Sequence, residues 1–259
     1  MGSFTYAHNE ILDKDEPLGT IGTTRAETGH PVGQIFGYVH DRLFTEDDFV
    51  DVEKGTLKEG IPTQSFTAKV RPGDIKYVDL DQNGIIDTYD QMAIGGTVNP
   101  EIVYGFGVNL RWKELDFGAM FQGIGRTWRI LSSNIMPASN KGSMFNIFDN
   151  YQDRWTVDNQ RQDVFYPRAD YGPNANNSQK STWWLRNMSF LRLKNVELGY
   201  SCPKKWLQGF VISNARVFVR GTNLLTFSKF NLWDPELDTG DGAKYPAMKS
   251  VSVGFDITF

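Results

Sequence analysis

Val251-Ser252-Val253-Gly254-Phe255-Asp256-Ile257-Thr258-Phe259 decides the fold. Val251, Val253, Phe255, Ile257 and Phe259 share one parity, and Ser252, Gly254, Asp256 and Thr258 share the other. Alternation with period two gives a β-strand with one apolar and one polar face. The run is close to the roughly 9–11 residues that a tilted strand needs to cross a bilayer.

The pattern recurs upstream. Ile102, Tyr104, Phe106, Val108 and Leu110 alternate with Gly105, Gly107, Asn109 and Arg111. A tight turn is predicted near Trp112-Lys113-Glu114, after which Leu115, Phe117, Ala119 and Phe121 alternate with Asp116, Gly118, Met120 and Gln122. These two stretches predict a hairpin with a continuous apolar side. A long strand is predicted from Trp184 to Tyr200, with a phase change at Lys194-Asn195 that reads as a bulge. Ala215 to Phe227 alternates more weakly, and Phe4 to Ile11 reads as a first strand. Two short β-prone pieces, Gln34–His40 and Ile75–Val78, lie inside a polar excursion at 13–99.

Connections between these strands alternate between long and short. Outer-membrane barrels have long extracellular loops and short periplasmic turns. The expected fold is therefore all-β: an antiparallel transmembrane β-barrel segment of about six spanning strands with long extracellular loops. Ile102, Phe106, Phe117 and Val253 should then face outward toward lipid. Arg111, Asp116, Gln122, Arg192 and Glu197 should form a solvated inner wall, and Trp112, Trp183 and Trp184 an interfacial aromatic girdle. The excursion at 13–99 is too long to be structureless and should carry its own small sheet.

Composition agrees with this reading. A net charge of −4 and a pI near 5.5 give no reason to expect nucleic acid. Cys202 is the single cysteine, so no internal disulfide can form. Mean hydropathy is −0.41 and no long apolar run exists, which excludes a transmembrane helix but not alternating barrel strands. An aromatic content of 14 % and 25 glycines suit a barrel with aromatic girdles. No signal peptide is visible after Met1, so a barrel reading expects this chain to be a fragment or to lack its natural N-terminus.

The sharpest local motif is Asp79-Leu80-Asp81-Gln82-Asn83-Gly84-Ile85-Ile86-Asp87-Thr88-Tyr89-Asp90. It follows the twelve-residue calcium loop: oxygens from Asp79, Asp81 and Asn83, the bend at Gly84, the carbonyl of Ile85, and Asp87 at the ninth position. Asp90 closes the loop where a glutamate is usual. A hard cation needs six to eight oxygens, and alternate residues of a turning loop supply them. Ca²⁺ is the expected ion, with Mg²⁺ a competitor. An ion-free Asx-rich turn is the plainer alternative. Tyr151, Trp155, Phe165, Tyr166 and Tyr171 lie in a polar loop and are candidates for contact with cargo or a lid protein. No catalytic constellation is legible among the Ser, His and Asp residues, so no enzyme is expected.

Together these residues resemble the SusC/RagA-like TonB-dependent outer-membrane transporters of Bacteroidetes. Phe4-Thr5-Tyr6-Ala7-His8-Asn9 resembles the family's NFTYxxN strand. Pro72-Gly73-Asp74-Ile75-Lys76-Tyr77, with the 79–90 loop, resembles PGDIKYxDxNGDGxID. Trp184-Leu185-Arg186-Asn187-Met188-Ser189-Phe190-Leu191-Arg192-Leu193-Lys194-Asn195-Val196 is similar to WLRDASFLRLKNV, a highly specific signature. Gly221-Thr222-Asn223-Leu224 with Asp234-Pro235-Glu236 matches a further segment.

The resemblance covers nearly the whole chain, 1–259, as the C-terminal part of a barrel of roughly 22 strands, with the plug domain absent. It implies import of nutrients across the cell outer membrane, most often oligosaccharides and sometimes peptides. It also implies a SusD-like surface lipoprotein as a lid, TonB engaged through a region outside this sequence, and Phe259 as an assembly signal. The rival expectation is a soluble or surface-attached all-β glycan-binding module.

Overall fold

The computed structural model describes residues 1–132, 148–170, 174–209 and 211–259. Cα proximity divides the chain into two compact units. The first comprises Met1–His8, Asn99–Thr127 and Asn187–Phe259. The second comprises Asn9–Val98 and Trp128–Arg186.

The first unit is one six-stranded antiparallel sheet. Its strands are β1 (Gly2–Tyr6), β2 (Ile102–Trp112), β3 (Leu115–Gly125), β4 (Phe190–Ser201), β5 (Asn214–Ser228) and β6 (Ser250–Thr258), ordered in space as in sequence. Neighbours in the chain are neighbours in the sheet, as in an up-and-down barrel wall. Lys113, at φ +55, turns β2 into β3 through a two-residue loop. Against β3, Phe121 pairs with Leu193 and Met120 with Asn195, so Lys194 is the extra residue of a bulge. The bulge returns Leu191 and Leu193 to the face of Val196, Leu198 and Tyr200, which resolves the phase change in the sequence.

The register aligns the apolar parity of every strand. One row runs Leu110, Phe117, Leu198, Val219, Val253 across β2 to β6. The next runs Trp112, Leu115, Tyr200, Val217, Phe255. These side chains are not gathered into a core: Phe117 is 38 % exposed and Val253 63 %. Phe106 stacks on Phe121 with ring centroids 5.0 Å apart, and Phe106 also remains exposed. A face this apolar and this exposed is what a barrel turns toward lipid. No helix among the described residues is long and apolar enough to cross a membrane, which leaves strand crossing untouched.

Three sequence expectations change. β1 ends at Tyr6, not Ile11. The strand expected from Trp184 is two pieces, Leu185–Asn187 and Phe190–Ser201, because Met188 and Ser189 break the ladder and the Met188 amide bonds to the Thr127 carbonyl instead. Trp183 and Trp184 are not girdle residues. They lie in the second unit, where Trp184 is 1 % exposed and donates its indole N–H to the Asn177 carbonyl at 2.7 Å. Trp112 is exposed at the end of β2, in keeping with a girdle position.

The second unit is stitched from short strand pairs. Gln34–Tyr38 pairs with Gln91–Thr97, His40–Leu43 with Ile75–Tyr77, and Thr63–Gln64 runs parallel to Ile85–Ile86. Tyr38, Phe66 and Tyr77 form an aromatic core with centroids 4.9–5.9 Å apart. Its polar hub is Asp74, 1 % exposed. The Asp74 carboxylate accepts from the Arg71 amide at 2.9 Å, from Arg168 at 3.1 and 3.3 Å, from Asn174 at 3.0 Å and from Asn177 at 2.9 Å. Asn177 in turn takes the Ile75 amide at 2.9 Å. The Pro72–Tyr77 segment thereby holds a stretch about a hundred residues away. Gly73, at φ +87, lies against the Trp155 indole where a Cβ would collide.

A second ion pair is a pH probe. Asp48 is buried and accepts a forked pair of bonds from Arg42, both 2.6 Å. Burial pushes its carboxyl up, but the Arg42 pair and the Thr45 amide outweigh that and hold it below its ordinary value of 3.8. A depressed carboxyl stabilises the fold fully above that ordinary value and loses the contribution as pH falls through the lowered one. Amide exchange across 42–51 should therefore be flat from neutral pH to about 5, after correction for intrinsic rates, and rise only below about 4. A midpoint near neutrality would contradict the assignment.

Candidate functional site

The polar parity of the sheet carries a charged lattice. Arg216 on β5 bonds Asp116 on β3 through Nε at 3.0 Å and again through Nη2, Glu197 on β4 at 2.6 Å, and Asp256 on β6 at 3.2 Å. Arg220 holds the other Glu197 oxygen at 2.6 Å. Phe218 sits between them, with guanidinium carbons 5.0 and 5.2 Å from its ring centroid. Two glycines let these groups lie down: the Arg216 guanidinium covers Gly199, and the Phe218 ring covers Gly254.

Beside the lattice is an open depression of ≈740 Å³ whose polar lining includes Asn109, Arg111, Asp116, Asn195, Glu197 and Arg220. Asp116 and Glu197 take the wall positions that strand parity predicts. Arg192 shares the parity but is not solvated. It is 1 % exposed, because Asp234 and Glu236 of the 229–249 connection cover it.

In the second unit, the 79–90 loop brings Asp79, Asp81 and Asp90 together, with one carboxylate oxygen of each within 4.8 Å of the others. Gly84, at φ +83, makes the bend the motif requires, and Ile86 is buried as its anchor. The fully buried Asp90 accepts from the amides of Leu80 at 2.7 Å and Asp87 at 2.8 Å, so it closes the ring. Asp79 accepts the Gly84 amide through Oδ2, while its Oδ1 is buried without a hydrogen-bond partner. Asn83 bonds Asp81 and the Ile85 amide, and Asp87 caps the turn by accepting from Tyr89. The side chains of Asn83 and Asp87 are thus engaged within the loop, and Ile85 is exposed. An all-oxygen set with an orphaned carboxylate oxygen fits a hard divalent cation.

No family model matches the chain. It is 31 % identical over 260 residues to TonB-dependent receptor P26 of Formosa agariphila, which spans 95 % of this chain and 24 % of the relative. It is 24 % identical over 200 residues to TonB-dependent receptor SusC of Bacteroides thetaiotaomicron, which spans 76 % of this chain and 19 % of the relative. The chain is a partial SusC/RagA-like receptor. A solved structure of the RagAB peptide importer in its closed-closed state superposes on all of it with a TM-score of 0.64 and 26 % identity, over 27 % of that chain. This receptor chain therefore spans about a quarter of the length of the relatives it matches.

Within the receptor, the aromatic cargo candidates separate. Trp155 and Tyr166 are buried, and burial pushes the Tyr166 phenol up to about 12. They are packing residues, not contacts for cargo: Tyr166 rests on Phe165 and Trp184, with centroids at 4.6 and 6.3 Å. Tyr151 and Phe165 are partly exposed, each beneath an arginine, Arg154 at 4.6 Å and Arg186 at 5.0 Å. Tyr171 lies outside the described residues. Reasoning from the sequence missed Arg216, Arg220 and Asp256. Their signal was present: Arg216, Phe218 and Arg220 break the expected contrast in β5, because an aromatic ring stands on the polar face under two arginines.

Proposed function

We propose that this receptor segment is part of the wall of an outer-membrane importer of nutrients, most often oligosaccharides, energised through TonB by residues outside this chain and covered by a SusD-like surface lipoprotein. The observation that carries the proposal is the pairing of faces: an exposed apolar belt over six strands on one side, an ion-paired polar lattice on the other. A lipid-facing belt needs the first, and a wet passage needs the second. The test is fractionation of native membranes. The receptor should leave the outer membrane only with detergent and bring a surface lipoprotein with it. Release by salt or carbonate alone would support the soluble glycan-binding module instead. Because the similar RagAB structure is that of a peptide importer, peptides are the second cargo class. Binding of glycan pools against peptide pools to the purified complex separates the two.

We also propose that the 79–90 loop binds Ca²⁺ through Asp79, Asp81 and Asp90, with the Ile85 carbonyl available to complete the set, and that the ion makes this part of the second unit rigid. The orphaned Asp79 oxygen supports this reading. At tenfold excess over its Kd, the ion should add about 1.4 kcal/mol to the stability of the segment. Amide exchange over 75–97 with Ca²⁺, Mg²⁺ and chelator measures it. Asp81→Ala should abolish the ion dependence while leaving the hydrogen bonds of Asp90 in place. A segment indifferent to both ions refutes the site.

A further inference from the structure

We propose that the connection at 229–249 is a strap held down on the polar face of the sheet by an ionic clasp, and that Asp234-Pro235-Glu236 and Arg192/Lys194 are the two halves of that clasp. The two sequence signatures that stood about 42 residues apart meet here. Arg192 reaches Asp234 through Nη2 and Glu236 through Nη1, the latter at 3.0 Å. Lys194 reaches both oxygens of Glu236, at 2.7 and 2.8 Å.

The clasp is preorganised from both sides. On β4, Arg192 lies over the Phe190 ring at 5.4 Å, which fixes the guanidinium on the sheet. In the strap, the Asp234 carboxylate also accepts the Glu236 amide at 3.0 Å, and buried Pro235 opens a single 3₁₀ turn. One turn therefore aims two carboxylates at two cations. The base of the strap is pinned nearby: Ser228 donates to the Ser189 carbonyl at 2.8 Å and accepts the Phe230 amide at 3.1 Å. Phe230 is buried and meets the Trp233 ring edge-on at 4.8 Å.

Packing and charge divide the work. The Phe230–Trp233 pair packs the base of the strap within itself, while the clasp holds its middle to the sheet and shields Arg192. A buried guanidinium tolerates this position only while paired, because an uncompensated buried charge is strongly unfavourable. Loss of the two carboxylate charges should therefore lift the strap and let water reach Arg192. Lys194 is the extra residue of the bulge against β3, so its side chain is directed to the strap by a feature that a regular register would not provide. The device is a strap seated by charge, and its release would leave two cations on the polar side of the wall.

The experiment uses the native receptor in detergent. Two quantities are read: amide exchange of 229–249 and modification of Arg192 by phenylglyoxal, located by mass spectrometry. In the unaltered receptor, Arg192 should resist the reagent. In the Asp234→Asn/Glu236→Gln double variant, exchange across the strap should accelerate at least tenfold and Arg192 should become reactive, with β2 and β3 unchanged. The charge reversal Lys194→Glu/Glu236→Lys should keep the strap more protected than Glu236→Lys alone, and it serves as the decisive pair if the double variant fails to assemble. A strap equally protected in the double variant, or a reversal no better than its single parent, overturns the proposal.

Discussion

Val219→Arg is expected to destabilise the membrane-embedded receptor by about 2–4 kcal/mol. Val219 stands mid-row on the apolar face, between Leu198 of β4 and Val253 of β6, and it is exposed. In lipid, the new guanidinium must either remain in hydrocarbon or drag water and headgroups inward. In water, the same substitution at an exposed strand position costs within about 0.5 kcal/mol. The variant therefore separates the barrel wall from the soluble module. Urea unfolding from lipid vesicles measures it, with Ser252→Arg as the control, because Ser252 shares the polar face with Arg220. Equal effects of the two variants would end the membrane assignment.

Asp74→Ala should cost more, about 3–5 kcal/mol of local stability in the second unit. The carboxylate is the common acceptor for the Arg71 amide, Arg168, Asn174 and Asn177. Its removal leaves the largely buried Arg168 guanidinium with Asp170 alone and strands several donors at once. Exchange protection should collapse over 71–77 and 174–184 together, because Ile75 reaches that stretch through both Asn176 and Asn177. Asp74→Asn keeps two lone pairs and should lose about half as much. Collapse confined to one of the two segments would show that Asp74 does not join them.

The strands were legible because side-chain parity is a local property. Val251 to Ile257, and Ile102 to Leu110, carry their facing in their own spacing. The bulge at Lys194 was legible for the same reason. The hub at Asp74 was not: its partners lie about a hundred residues away, and no local pattern pairs an aspartate with an arginine at that distance. Trp183 and Trp184 misled because the residue at a strand boundary has no parity to inherit, and tertiary packing decided their place. The calcium-like spacing located the convergence of Asp79, Asp81 and Asp90. It could not foresee that Asn83 and Asp87 would turn their oxygens to backbone amides.

Gly199 and Gly254, each lying under a flattened side chain, bear on how wide a channel can be. An arginine or phenylalanine standing upright on a wall intrudes by its full reach. Folded flat into the groove left by a missing Cβ, it lies close to the sheet, and in the proposed importer it would present its broad surface to cargo and leave the bore almost undiminished. A methyl at either position would push the group off the sheet, and in the proposed importer it would narrow the passage, so two hydrogen atoms would serve as its clearance.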